Sequence, residues 1–237
     1  MGHNFIPGLK KIGLPQSRYE GRLTGKGMLG ADSIICRDGH SWAQAHYTVL
    51  QNSTLVTPYV NEHKNFLRSK HPEQCDDWIT CEHIRTFGSW LQTHLMCDNI
   101  VGDELYSLAR TPSSTVLTYQ GYEINGNTFY TIAQDQKSTN QNSGVRFDAA
   151  TNRGKDTYYG YIVDIWELDY GHDFKVPLFR CKWVNRSGGG VQVDPQYGMT
   201  TVDLNNLGYT DEPFVLANDV AQVFYVKDMS TNPRKKR

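Results

Sequence analysis

The sequence predicts an α+β protein: a small helical N-terminal region followed by a mostly antiparallel β-barrel-like or sandwich domain. Two observations carry this. The spacing of apolar residues follows a period near 3.6 between residues 42 and 95 and a period near two from residue 115 onward. Short β-rich runs in the second half are separated by turn clusters at close, regular intervals, the pattern of a small sandwich or barrel.

The elements follow in order. Residues 1–40 are irregular and rich in Gly and Pro, which punctuate a chain rather than build elements. Trp42, His46, Val49 and Leu50 then form a helical stripe. Thr57 and Pro58 read as the N-cap and first residue of a second helix, with Tyr59, Val60, His63, Phe66 and Leu67 on its inner face. Asp76 reads as the cap of a third, carried by Ile79, His83, Phe87, Trp90, Leu91 and Leu95. Three helices of this size close a core only marginally by themselves.

Beyond residue 114 the first signal is a hairpin. Asn125-Gly126 lies between two β-rich arms, and a type I′ turn needs positive φ at both central positions. Residues 134–157 are rich in Gln, Ser, Thr and Asn and read as a loose polar segment. Strands are expected at 158–168, 176–184, 191–193, 200–204, 214–216 and 220–226. The expected organisation is therefore a helical segment at 1–96, a linker at 97–157 holding the hairpin near 115–132, a β domain at 158–228, and a basic tail at 229–237.

Composition excludes several classes. The longest uninterrupted apolar run is four residues, against the ~20 a bilayer span needs. Residues 1–7 lack the apolar stretch of a secretory signal. Five scattered Cys do not make a disulfide framework, and point to reduced thiols in a nuclear or otherwise cytoplasmic protein. The net charge is −1 but unevenly spread. Lys10, Lys11, Arg18, Arg22 and Lys26 make the front basic, with Glu20 alone against them. These five are the candidate nucleic-acid contacts, and the terminal Arg234, Lys235, Lys236 and Arg237 are the candidate nuclear signal.

Chemistry-bearing motifs are sparse. His71, Cys75, Cys81, His83, His94 and Cys97 cluster in sequence, but without the CxxC spacing of a zinc knuckle, so no metal site is assigned. Asp164, Asp203 and Glu212 are the residues a two-metal nuclease would gather, yet acidic residues on solvent faces and turns give the same pattern. Nucleophile elbow, HExxH, phosphate loop and dinucleotide fingerprint are all missing. No catalytic residue and no cofactor is assigned. Strict alternation along 158–168 puts Asp164 beside Trp166 on one strand face, with Trp183 on the neighbouring strand. Asp164, Trp166 and Trp183 are thus the candidate site for a cationic ligand such as a basic peptide.

Several strings are also similar to a known family. YYGYIVDIWELDY (158–170), VPLFRCKWV (176–184), DEPFVLA (211–217) and QVFYVKD (222–228) resemble the plant domain-of-unknown-function family numbered 4216. QAHYTVLQN (44–52), PYVNEH (58–63) and EHIRTF (82–87) resemble its usual neighbour, numbered 4218, in partial form; YQGYEINGNTFY (119–130) fits the link between them. Both families sit at the C-terminal end of transposase-like proteins of CACTA (En/Spm) elements. The resemblance implies a non-catalytic tail module of a transposon-derived nuclear protein, with the catalytic transposase domain expected upstream. Its expected partner is protein or chromatin, with no membrane. Direct DNA binding through the basic front and a cryptic metal-dependent nuclease are the alternatives; oligomeric state is left open.

Overall fold

The structure, a computed structural model, describes residues 27–29, 33–35, 39–98, 105, 108–109, 111–151, 154–171 and 175–227. It is α+β, with helices on the N-terminal side and antiparallel sheets beyond them. Two short strands, β1 (Gly27–Leu29) and β2 (Ser33–Ile35), precede three helices, α1 (Gly39–Gln51), α2 (Thr57–Lys70) and α3 (Asp76–Asp98). The helical stripes fall where the apolar spacing puts them, because each apolar face is buried against the others: Val49, Leu50, Leu67, Ile79, Phe87, Leu91 and Leu95 are buried. The start of α2 differs from expectation. Its N-cap is Val56, with no side-chain cap bond, because a turn in which Val56 N–H donates to the Ser53 carbonyl carries the chain straight into the helix.

Next come β3 (Val116–Tyr119), β4 (Gly121–Ile124), β5 (Asn127–Tyr130) and a single turn of helix, α4 (Ile132–Asp135). The β4–β5 turn is Asn125-Gly126, with φ of 53° and 75°, as a type I′ turn requires. The polar stretch expected to be loose instead contains β6 (Gly144–Thr151), which pairs along its whole length with the start of β7 (Gly154–Asp169). Its inward residues, Val145 and Phe147, are few, and partner strands supply the rest of its stability. Asp135 organises the approach, accepting hydrogen bonds from the backbone N–H groups of Asn142 and Ser143.

The remaining strands are β8 (Lys175–Val184), β9 (Val191–Val193), β10 (Thr200–Val202), β11 (Leu207–Gly208), β12 (Phe214–Leu216) and β13 (Val220–Gln222). β7 and β8 form the central hairpin. One edge of β7 is shared by β6 and β3; the far edge of β8 is shared by β11 and β12, and β13 lies outside β6.

This topology forces curvature. β12 and β13 flank the series β8-β7-β6, so a flat sheet would hold them ~19 Å apart at ~4.8 Å per strand. Only four residue steps join Leu216 to Val220, a reach of ~14 Å. The sheet therefore coils, although among the described residues no ladder closes it into a barrel. Two features permit the coil. A bulge in β7 breaks the register between Ile162 and Asp164, leaving Val163 unpaired. At Gly160 a Cβ would sit 2.3 Å from the Lys182 carbonyl oxygen, and at Gly144 2.3 Å from that of Val223, so both must be glycine.

Two hydrophobic clusters result. The inner one, within the coil, gathers Tyr119, Tyr122, Phe129, Val145, Ile162, Ile165, Phe179, Cys181 and Trp183. The outer one joins helices to sheet, with Val49, Leu50, Phe87 and Leu91 against Trp166, Leu168, Leu178, Phe214 and Leu216. Each large side chain buried there contributes ~1.5–3 kcal/mol. Polar ties from α1 fix its pose on the sheet: Gln44 Nε2 donates to the Asp211 carbonyl at 2.8 Å, and His46 Nδ1 lies 2.8 Å from the Tyr170 hydroxyl.

Candidate functional site

The bulge decides where the sequence-predicted residues go. Strict alternation along β7 would put Tyr158 and Ile162 on one face with Asp164, Trp166 and Leu168. The extra residue at Val163 reverses the facing: Ile162 and Ile165 both enter the inner cluster, while Trp166 and Leu168 enter the outer one. Trp166 is 4 % exposed and lies 4.7 Å, centroid to centroid, from Phe214. Trp183 is 5 % exposed and belongs to the inner cluster. The two tryptophans thus lie on opposite faces of the sheet. Asp164 shares a face with Trp166, but its carboxylate accepts a 2.7 Å hydrogen bond from Arg180 Nε and pairs with the same guanidinium through Nη2. These three residues are core and an ion pair, and they do not converge on an opening.

Asp203 is used in a turn, accepting from the Asn205 N–H. Lys10, Lys11, Arg18, Arg22 and Lys26 lie outside the described residues, as do Arg234, Lys235, Lys236 and Arg237. In the Cys/His stretch, Cys75 and Cys81 are exposed thiols while His83 is fully buried. Among the described residues no three His, Cys, Asp or Glu side chains converge to hold a metal ion, and no helix is long and apolar enough to cross a membrane.

The histidines instead form part of the core. His63 Nδ1 and His83 Nδ1 are 2.8 Å apart, one donating to the other, between α2 and α3. Tyr47 meets His83 edge-on at 5.2 Å, and Trp90 lies 4.7 Å from His63. Burial lowers the pKa of His63 to about 4 and those of His46 and His83 to about 3, because an imidazolium there would lose its hydration. Glu82 pulls weakly the other way at His63. The His46 ring rests on Gly88 of α3, where a Cβ would come within 2.5 Å of it.

One opening lies at the end of α1. A recess of about 540 Å³ is lined by Gln51, Asn52, Phe147, Asp148, Ala149, Glu212 and Asp219. The helix delivers its C-terminal, negative end there. Asp148 is held by Arg146 and Thr157, whereas Glu212 and Asp219 have no basic partner among the described residues. Burial raises the Asp219 carboxyl, and Glu212 helps push the Tyr47 phenol, already raised by burial, to about 12. The tight β12–β13 link brings Asp219 round to β6, where it shares the recess with Glu212 from just ahead of β12, a juxtaposition invisible in sequence. A second exposed feature is the β9–β10 hairpin, where Val193, Tyr197 and Met199 are 63, 70 and 63 % exposed.

Fold and openings together define an α+β protein whose coiled antiparallel sheet is capped at one end by helices. The family model described as Domain of unknown function (DUF4216) matches residues 166–236, which include most of β7's second half, β8, the exposed hairpin and two of the recess carboxylates. Neither the curated proteins nor the solved structures yield a match.

Proposed function

We propose that this chain is a non-catalytic binding module that holds a basic protein segment, such as a chromatin tail, in the acidic recess. The setting that the sequence resemblance implies is a transposon-derived plant protein of the nucleus. One observation carries the reading: Glu212 and Asp219 face the recess together with no cation of their own among the described residues. A lysine or arginine from a partner supplies the missing charge, with Phe147 offering apolar contact beside it. The β9–β10 hairpin, which exposes Val193, Tyr197 and Met199 within one short element, is consistent with a protein partner. The non-catalytic reading is supported by the engagement of Asp164 with Arg180 and of Asp203 in its turn.

The test is fluorescence anisotropy of a labelled Lys/Arg-rich peptide with the full chain. The unmodified protein should bind, and the Glu212→Gln/Asp219→Asn double variant should bind about five- to tenfold more weakly, as two lost exposed pairs imply. An acidic peptide of equal length should not bind. Equal affinity of the variant, or no binding by the unmodified protein, overturns the reading.

A further inference from the structure

β7 carries a second surface that the recess does not use. Ahead of the bulge, Ile162 points inward and Tyr158 packs against the inner cluster, so Tyr159 and Tyr161 point outward. Register sets their neighbours. Arg146 of β6 stands opposite Tyr159, and Lys182 of β8 stands opposite Tyr161; Lys155 follows on the same face of β7. Arg146, Lys155 and Lys182 are exposed.

The two tyrosines differ from the others around them. The Tyr119 hydroxyl donates to Glu167, Tyr225 to the Gly160 carbonyl, and Tyr158 is stacked under Arg186. Tyr159 and Tyr161 are half-buried, and among the described residues their side chains make no hydrogen bond and no ring contact. The carboxylates on this face, Asp148 and Asp164, are each paired with an arginine, which leaves Lys155 and Lys182 without an ion pair among the described residues.

We propose that this face of β6, β7 and β8 binds single-stranded nucleic acid, with Tyr159 and Tyr161 stacking on bases and Arg146, Lys155 and Lys182 contacting phosphates. Partly exposed aromatic rings flanked by cations on a sheet face are the platform such strands use, and every base offers a π-face. Alternate residues on a strand are ~6.8 Å apart, about twice the ~3.4 Å rise per base in a duplex strand. Bases engaging both rings are therefore unstacked from each other, which favours a single strand over a duplex. The proposal uses neither Glu212 nor Asp219, and Lys155 and Lys182 lie outside the recess lining, so the lysine variants test it separately from peptide binding.

The experiment measures anisotropy of labelled mixed-sequence single-stranded DNA and RNA with the full chain, across a salt series. Tyr159→Ala/Tyr161→Ala should weaken binding about tenfold or more. Lys155→Gln/Lys182→Gln, at exposed positions that leave the fold intact, should weaken it and flatten the log–log salt slope by about 1.4. Should the tyrosine variant fail to fold, the lysine variant decides. A single strand should bind more tightly than its duplex. Absent binding by the unmodified chain, or binding to which the lysine pair makes no difference, overturns the proposal. So does unchanged binding by a folded tyrosine variant, or preference for the duplex; each would assign any observed affinity to basic segments elsewhere.

Discussion

The two halves of β7 share one sheet face and have opposite fates. Beyond the bulge, that face carries Trp166 and Leu168, and the helices cover it. Before the bulge, it carries Tyr159 and Tyr161, which stay half-buried. The Asp164–Arg180 ion pair lies near the boundary. Where the helical layer ends, apolar side chains give way to half-buried rings with cations beside them. The comparison teaches that the helices set the division between core and surface on this sheet, and that the bulge sets which residues of β7 each side receives.

The largest expected effect tests the covered half. The buried histidines have folded pKa values below their ordinary 6.5, near 3 for His46 and His83 and near 4 for His63. Stability is then full above pH 6.5 and falls as pH drops toward the folded values, because the unfolded chain takes up protons that the folded one excludes. Each histidine contributes about 1.4 kcal/mol per pH unit in that window. Urea unfolding at pH 5 should accordingly show about 4–6 kcal/mol less stability than at pH 7. A flat profile would mean that the pair between α2 and α3 is hydrated.

Next in size is Trp166→Ala, which should cost about 3–5 kcal/mol in the same assay, as large-to-small changes in a core do. A cost under about 1 kcal/mol would break the comparison, since Trp166 would then not be core. Gly88→Ala sharpens it from the helical side: the added methyl meets the His46 ring, and overpacking of this kind costs about 1–3 kcal/mol. The smallest effect belongs to the uncovered half. Lys182→Gln should change thermal stability by no more than about 0.5 kcal/mol, because Lys182 is exposed and makes no ion pair among the described residues.

Much of the helical region is legible in sequence. The stripes ending at Leu50, Leu67 and Leu95 bury most of the residues that their spacing selects, because a period of 3.6 puts one face inward whatever lies opposite; Phe66, expected inside, is exposed because it lies at the edge of its stripe. The Asn125-Gly126 turn is legible for a local reason too: its backbone conformation is set by the residues within it. β6 is not legible. Its polar composition reads as loop, and its pairing with β7 and β13 comes from residues distant in the chain. The candidate trio Asp164, Trp166 and Trp183 fails for a related reason, since one unpaired residue at 163 breaks the alternation on which the trio rests.

The sequence alone thus determined the α+β class, the three helical faces, the tight hairpin turn and the similarity over the C-terminal segment, all of which depend on neighbours within a few residues. Tertiary structure alone decided the coil of the sheet, the burial of His63 against His83, the recess of Glu212 and Asp219 beside α1, and the half-buried pair Tyr159 and Tyr161 on one sheet face. The physical reason is that these depend on which strands meet and where the helices stop, and strand pairing is a contact between residues far apart in the chain that local propensity does not encode.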